Sequence, residues 1–346
     1  MQLEQKHGLS EMNHEMREEV INHMVQLVKN SYVFPEVANT ISERILLKLS
    51  NKAYDSLHDP HQFSKVITAD LQDISNDKHL GLKYHPSPIS QNDSDKKKAA
   101  TNRKRLLRLA NFGFEKVERL PGNIGYHKTL KFFEPELAGE LAIASLNYLA
   151  NTNAIIFDLR DNSGGDAGMV ALICSYLLEG RVHLNNFHWR KNNRVEQIWT
   201  NSHIQGPSLR EKDVYILTSQ RTFSGAEDFA YTLQNLNRAT LIGEKTKGGA
   251  HPGGFQPINA YFSVNIPIGR AVNPITNDNW EGCGVTPHLE VAEEHALLVA
   301  QYLCLTKLIE TNKDRDIMQN TWMTLKEKLE VELKDVGIHK EDIRLN

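Results

Sequence analysis

The spacing of apolar residues changes character near residue 122. Before it, Val20, Met24, Leu27 and Val28 recur at helical spacing, as do Ile41, Ile45, Leu46 and Leu49. Phe63, Val66, Ile67 and Leu71 repeat the pattern, so residues 10–73 are predicted to form amphipathic helices. Tyr32-Val33-Phe34-Pro35 separates the first two, because proline disfavours helix in the residue before it. Asp59-Pro60 opens the third. Leu80, Leu82 and Tyr84 then alternate as in a short strand. From Gly122 onward, apolar β-branched runs (123–128, 155–159, 214–218, 240–243) alternate with helical stretches (135–149, 168–178, the segment carrying Ala226, Phe229, Ala230 and Leu233, and 292–310). A hairpin is expected over 260–272. The layout is α/β (α+β): a helical N-terminal domain (1–85), a basic linker with a short helix (86–121), an α/β core (122–312) and a charged helical tail (313–346).

Composition narrows the functional classes. With 40% hydrophobic and 24% charged residues among 346, the chain has ample material for globular cores. A formal net charge of -3 gives no general reason to expect nucleic acid or an anionic membrane as partner. No apolar run approaches the roughly 18 residues of a membrane span. The polar first twenty residues lack the apolar centre of a secretory signal. Cys174, Cys283 and Cys304 are too scattered for a disulfide framework or zinc cluster. The fifteen histidines show no metal-binding spacing. The expectation is a cytoplasmic protein without metal or cofactor. The basic segment 96–108 (Lys96, Lys97, Lys98, Arg103, Lys104, Arg105, Arg108) reads as a solvated face.

Candidate chemistry lies in the loops of the second half. Ser224-Gly225 falls between the strand 214–218 and a helix, where free N–H groups and the positive helix end can stabilise an oxyanion. Taken alone, this segment reads first as a plain N-cap, a position serine favours. Asp161-Asn162-Ser163-Gly164-Gly165 follows the strand 155–159; its paired glycines suit either a tight turn or close approach to an anion. No Gly-Lys-Ser/Thr follows, which disfavours a phosphate loop. Two further glycine-rich segments are 243–251 and 280–287.

In order, Asp158-Leu159-Arg160-Asp161-Asn162-Ser163-Gly164-Gly165, Thr222-Phe223-Ser224-Gly225-Ala226-Glu227, Gly243-Glu244-Lys245-Thr246 and Gly284-Val285-Thr286-Pro287 resemble the tail-specific (C-terminal processing) serine protease superfamily. That superfamily includes the tricorn protease core and interphotoreceptor retinoid-binding protein. Tyr32-Val33-Phe34-Pro35 and Asp77-Lys78-His79-Leu80 resemble the helical N-terminal domain of the retinoid-binding-protein branch. The resemblance implies a crotonase/ClpP-like core of β-β-α units. It also implies a serine-type peptidase that cleaves peptide or protein substrates through an acyl-enzyme. About 35 residues separate Tyr84 from Gly122, too few for the PDZ domain that many processing proteases insert.

The general base departs from the processing proteases. Their dyad lysine corresponds to Gly249 here, with Lys245 and Lys247 nearby but out of register. The tricorn pattern is filled instead, by His79 and Glu281. The implied site is therefore Ser224 as nucleophile, His79 as base and Glu281 as its orienting acid, with Gly225 and Gly164 or Gly165 N–H groups at the oxyanion. Lys247 or Lys245 is the alternative base. Taken singly, His79 also fits a structural role, and Glu281 a solvated turn. The rival reading is a non-catalytic binder of an apolar small molecule, using Phe112, Phe114, Phe132, Phe133, Phe187 and Trp189.

Overall fold

The computed structural model describes residues 9, 11–89, 93–312 and 317–343, so parts of the expected N-terminal stretch, linker and tail (1–8, 10, 90–92, 313–316 and 344–346) lie outside it. The first elements are α1 (His14–Ser31), α2 (Pro35–Ser50), α3 (Pro60–Ser75), β1 (Gly81–Tyr84) and α4 (Asp93–Leu109). There follow β2 (Phe114–Leu120), β3 (Ile124–Thr129), α5 (Pro135–Tyr148), β4 (Ala154–Asp158), α6 (Ala167–Leu177), β5 (His183–Trp189) and β6 (Arg194–Trp199). The remainder are β7 (Asp213–Thr218), α7 (Gly225–Asn235), β8 (Thr240–Gly243), β9 (Gly253–Pro257), β10 (Phe262–Pro267), β11 (Gly269–Val272), β12 (Leu289–Glu290), α8 (Ala296–Thr311) and α9 (Gln319–Asp335). Proline opens α2, α3 and α5, where its missing N–H costs no helical hydrogen bond.

The backbone divides into two compact units. The first contains the described residues up to Arg105 together with Asn186–Glu196 and His251–Val272. Its antiparallel sheet has the order β1-β10-β9. Val20, Met24, Ile41, Ile45, Phe63, Ile67 and Leu71 from α1–α3 share one core with Leu80, Leu82, Phe262, Val264 and Ile266 of the strand segments. Burying each such side chain contributes roughly 1.5–3 kcal/mol.

The expected hairpin over 260–272 is not formed. β10 pairs with β1 and β9, whereas β11 pairs with β5, placing Gly269 opposite Trp189. Only Ile268 separates β10 from β11, fewer residues than a tight hairpin turn needs. Pro267, with no N–H, ends the first ladder. The basic stretch 96–108 lies in α4, where Lys97, Lys98, Arg103, Lys104, Arg105 and Arg108 are exposed.

The second unit comprises Leu106–Asn185, Gln197–Ala250 and the described residues from Asn273 onward. Its six-stranded sheet has the order β12-β8-β7-β4-β3-β2, parallel throughout except for antiparallel β2 at one edge. Ile124, Ile156, Leu217 and Ile242 share a core with Val299, Ala300 and Leu305 of α8 and Trp322 of α9. On β4, Phe157 alternates with Ile156 and meets Phe229 of α7 at 5.3 Å between ring centroids. β4 is buried at every residue, as parallel strands covered on both faces must be. The chain is thus a mixed α/β protein with a helical N-terminal region and a mixed-sheet core.

Candidate active site

In the second unit, three adjacent parallel strands, β4, β7 and β8, release the loops 159–166, 219–224 and 244–250 from their C-terminal ends. That end of an open α/β sheet is where ligands characteristically bind. The middle loop carries Ser224, half-buried, immediately before α7. Ser224 has φ 55° and ψ -122°, a conformation that L-residues rarely adopt. Such strain costs about 1–3 kcal/mol and persists only when surrounding bonds over-determine it.

Those bonds are present. Ser224 donates its N–H to Glu227 Oε2 (2.8 Å), and its carbonyl accepts the Asp228 N–H (3.0 Å). Phe223 donates its N–H to the Asn162 carbonyl (3.1 Å), and Thr222 its hydroxyl to the Leu159 carbonyl (2.8 Å). Outside the turn, Arg221 bridges Asp161 and Glu293. The serine turn and the Gly164-Gly165 loop are therefore stitched together along their length.

Their contact explains the glycines. A Cβ on Gly164 would lie 2.5 Å from the Phe223 carbonyl oxygen and 2.7 Å from Ser224 Cβ. A Cβ on Gly225 would lie 3.0 Å from the Gly165 nitrogen. Gly164 (φ 88°) donates its N–H to the Asn162 side-chain oxygen at 2.8 Å, so this donor is already engaged within its own loop.

Glu227 is the residue that sequence reasoning left without a role, although it closes the motif Thr222–Glu227. It is fully buried, yet its carboxylate accepts from Ser224 N (2.8 Å), Thr246 Oγ1 (2.5 Å), Gly248 N (2.6 Å) and Gly249 N (2.9 Å). Burial pushes its pKa up, while the four donors pull it down. Thr246 Oγ1 in turn accepts the Val285 N–H (2.7 Å), and Thr246 N–H donates to the Val285 carbonyl (3.1 Å). One carboxylate and one hydroxyl thus hold three of the four motif segments in place.

Glu281, half-buried, accepts the Ala250 N–H on Oε2 at 2.5 Å. Trp280 beside it donates Nε1–H to the Gly249 carbonyl (2.7 Å). Lys247 Nζ lies 4.7 Å from the centre of the Phe223 ring, in a cation–π contact. Lys245 is exposed, as is Cys283.

His79 belongs to the first unit, in the turn between α3 and β1, and is half-buried. It donates its N–H to Asp77 Oδ1 (3.0 Å), and its carbonyl accepts from Asn265 Nδ2 on β10 (2.6 Å). Ser224, Gly225, Gly164, Gly165, Glu281, Lys245 and Lys247 all belong to the second unit. Of the aromatics considered for an apolar pocket, Phe114 and Phe132 are buried against His127 and Phe229. Phe187 and Trp189 form a pair of their own in the first unit.

Two family models match the chain: peptidase family S41 over residues 123–291, and the N-terminal domain of Peptidase_S41 in eukaryotic IRBP over residues 3–109. A probable CtpA-like serine protease of Staphylococcus saprophyticus is 27% identical over 136 residues, which is 37% of this chain and 25% of that protein. The match thus spans about a quarter of that relative's length. Among solved structures, a lipoprotein from Streptococcus agalactiae is similar with a TM-score of 0.56 at 14% identity, covering 84% of this chain and 96% of that one. The tricorn protease is similar with a TM-score of 0.50 at 16% identity, covering 91% of this chain and 37% of its own. At such identities the structural likeness speaks for the fold alone.

Proposed function

Since the chain belongs to peptidase family S41, we propose that it is a serine peptidase acting on peptide or protein substrates through a Ser224–His79–Glu281 triad. The observation that carries this reading is the strained Ser224 turn pressed against the Gly164-Gly165 loop. In this mechanism Ser224 Oγ attacks the scissile carbonyl while His79 takes its proton. Glu281 orients the imidazole and stabilises its charge. The negative oxygen of the tetrahedral intermediate is held by N–H groups of Gly225 and Gly165. Of the two loop glycines, Gly165 suits that role, because Gly164 N–H is engaged by Asn162. Collapse expels the amine, which receives the proton from His79 and leaves an acyl-enzyme. Water, deprotonated by the same histidine, then attacks the acyl carbon, and the histidine returns the proton to Ser224 Oγ as its bond to the acyl group breaks and the acid product leaves. A crotonase/ClpP-like arrangement of the core belongs to the same proposal.

The reading is tested by fluorophosphonate labelling of wild type, Ser224→Ala, His79→Ala and Lys247→Ala. Labelling lost in the first two variants and kept in the third is the expected result. Loss with Lys247→Ala and retention with His79→Ala would transfer the base role to the lysine. An unlabelled, folded wild type would favour a binding protein.

A further inference from the structure

The backbone of His79 is fixed at both ends, and the group that fixes its N–H is itself a buried acid. Asp77 is 1% exposed. Its Oδ1 accepts the His79 N–H at 3.0 Å. Its Oδ2 accepts the Tyr32 hydroxyl at 3.1 Å and His251 Nδ1 at 2.8 Å. A carboxylate oxygen can only accept in these bonds, so His251 presents Nδ1–H to it. His251 is held in turn by the edge of Phe34, 5.3 Å between ring centres. A carboxylate oxygen of Asp77 and a ring nitrogen of His79 lie within 4.8 Å of each other.

That arrangement is more than a turn clamp requires. A side-chain clamp on the main chain needs one oxygen on one N–H, as Asp59 provides to Gln62 as the N-cap of α3. At Asp77 the second oxygen is buried beside two further donors, and the carboxylate stands next to the imidazole whose protonated form the reaction must generate. An opposite charge at this range favours the charged form of a histidine. Resting on the assignment of His79 as the base, we infer that Asp77 is a positioning residue for that imidazole and a carboxylate that stabilises its protonated form alongside Glu281. Other charged or titratable groups around this turn are Tyr32 from the end of α1, His251 ahead of β9 and the exposed Lys78. Glu281 is the second carboxylate assigned to His79 under the proposed mechanism.

The test is an NMR titration of the His79 ring, with and without Asp77→Asn, in a Glu281→Gln background that removes the other acid. Asparagine keeps the shape and an acceptor for the His79 N–H but removes the charge. The His79 pKa is expected to fall by about one pH unit in Asp77→Asn. With Glu281 intact, the acid limb of kcat/KM should move down by a similar amount. Plateau kcat should drop at least about tenfold with KM within about twofold. A purely structural clamp would lower activity without moving the limb. A folded Asp77→Asn variant with an unmoved His79 titration overturns the inference. If that variant does not fold, the Asp77-intact protein decides: titration above about 6.5 supports the inference, and at or below it overturns it. Full activity in His79→Ala would instead sink the base assignment, while the titration would still report the effect of Asp77 on the ring.

Discussion

Each unit holds a buried carboxylate, and the two are built differently. Glu227, in the second unit, meets three main-chain N–H groups and one hydroxyl. Asp77, in the first, meets one main-chain N–H, one phenol and one imidazole. None of the donors to Glu227 changes charge near neutral pH, so its bonds define a geometry and little else. Asp77 touches one histidine and lies beside another, so under the proposed triad its bonds would bear on protonation as well as geometry. A nucleophile needs a fixed shape. A base needs a tuned one.

Four experiments would break or sharpen that contrast. The largest effect belongs to Ser224→Ala, which should lower kcat by about 10^4-fold or more with the fold intact, as circular dichroism and steady-state kinetics would report. Next is Glu227→Gln, whose amide turns donors against the main-chain N–H groups of the loops. We expect about 2–3 kcal/mol of lost stability in urea titration and at least about a hundredfold loss of kcat, with no shift in the pH limb. A shifted limb would erase the distinction drawn between the two carboxylates.

Gly164→Ala should follow, because its Cβ would meet the Phe223 carbonyl oxygen at 2.5 Å and the residue has φ 88°. A loss of about 1–3 kcal/mol and a reduced kcat are expected, and wild-type melting would show that the two loops yield more easily than their packing implies. The smallest active-site effect concerns a control. His127 is buried between Ser145 and Thr129 hydroxyls, and burial lowers its pKa to about 4. A histidine depressed in the folded state contributes stability that is present above its unfolded value near 6.5 and is lost as pH falls toward 4. That loss is on the order of 3 kcal/mol at most. His127→Asn should flatten thermal stability across this window and leave the acid limb of kcat/KM in place; a moved limb would mean that unfolding, not His79, sets it.

Much of the fold was legible along the chain because its signals were local. Thr240–Gly243 is the strand expected from its apolar run, and Ala226, Phe229, Ala230 and Leu233 form the fully buried face of α7. β9, with the sequence Gly-Gly-Phe-Gln-Pro, offers no such signal, since glycine and proline argue against a strand that only its pairing with β10 creates. β2 reads as charged because it lies at the sheet edge, where Phe114 alone of its residues is buried. The 260–272 segment misled for a related reason: two adjacent strands suggested a hairpin, while β10 pairs with β9 just before it and with the distant β1, and β11 with the distant β5. At the site, the glycine-rich loops announced themselves. Glu227 did not, because a buried acid on a helix is indistinguishable by type from a solvated one. Three of its four donors come from residues about twenty positions downstream.

The sheet order β1-β10-β9 has a consequence for how this protein can be cut. The three N-terminal helices and β1 form a contiguous stretch, yet β9 and β10, which complete their sheet, are supplied by residues 253–267. A fragment ending after α4 would keep the helices but lose Phe262, Val264 and Ile266 from beneath them. It would present β1 as a bare edge, open to pairing with any other chain. The front of the molecule is therefore no cassette to be expressed, swapped or grafted alone. A protease that nicked the chain between β8 and β9 would leave the first unit joined by hydrogen bonds and packing, like two halves of a split reporter.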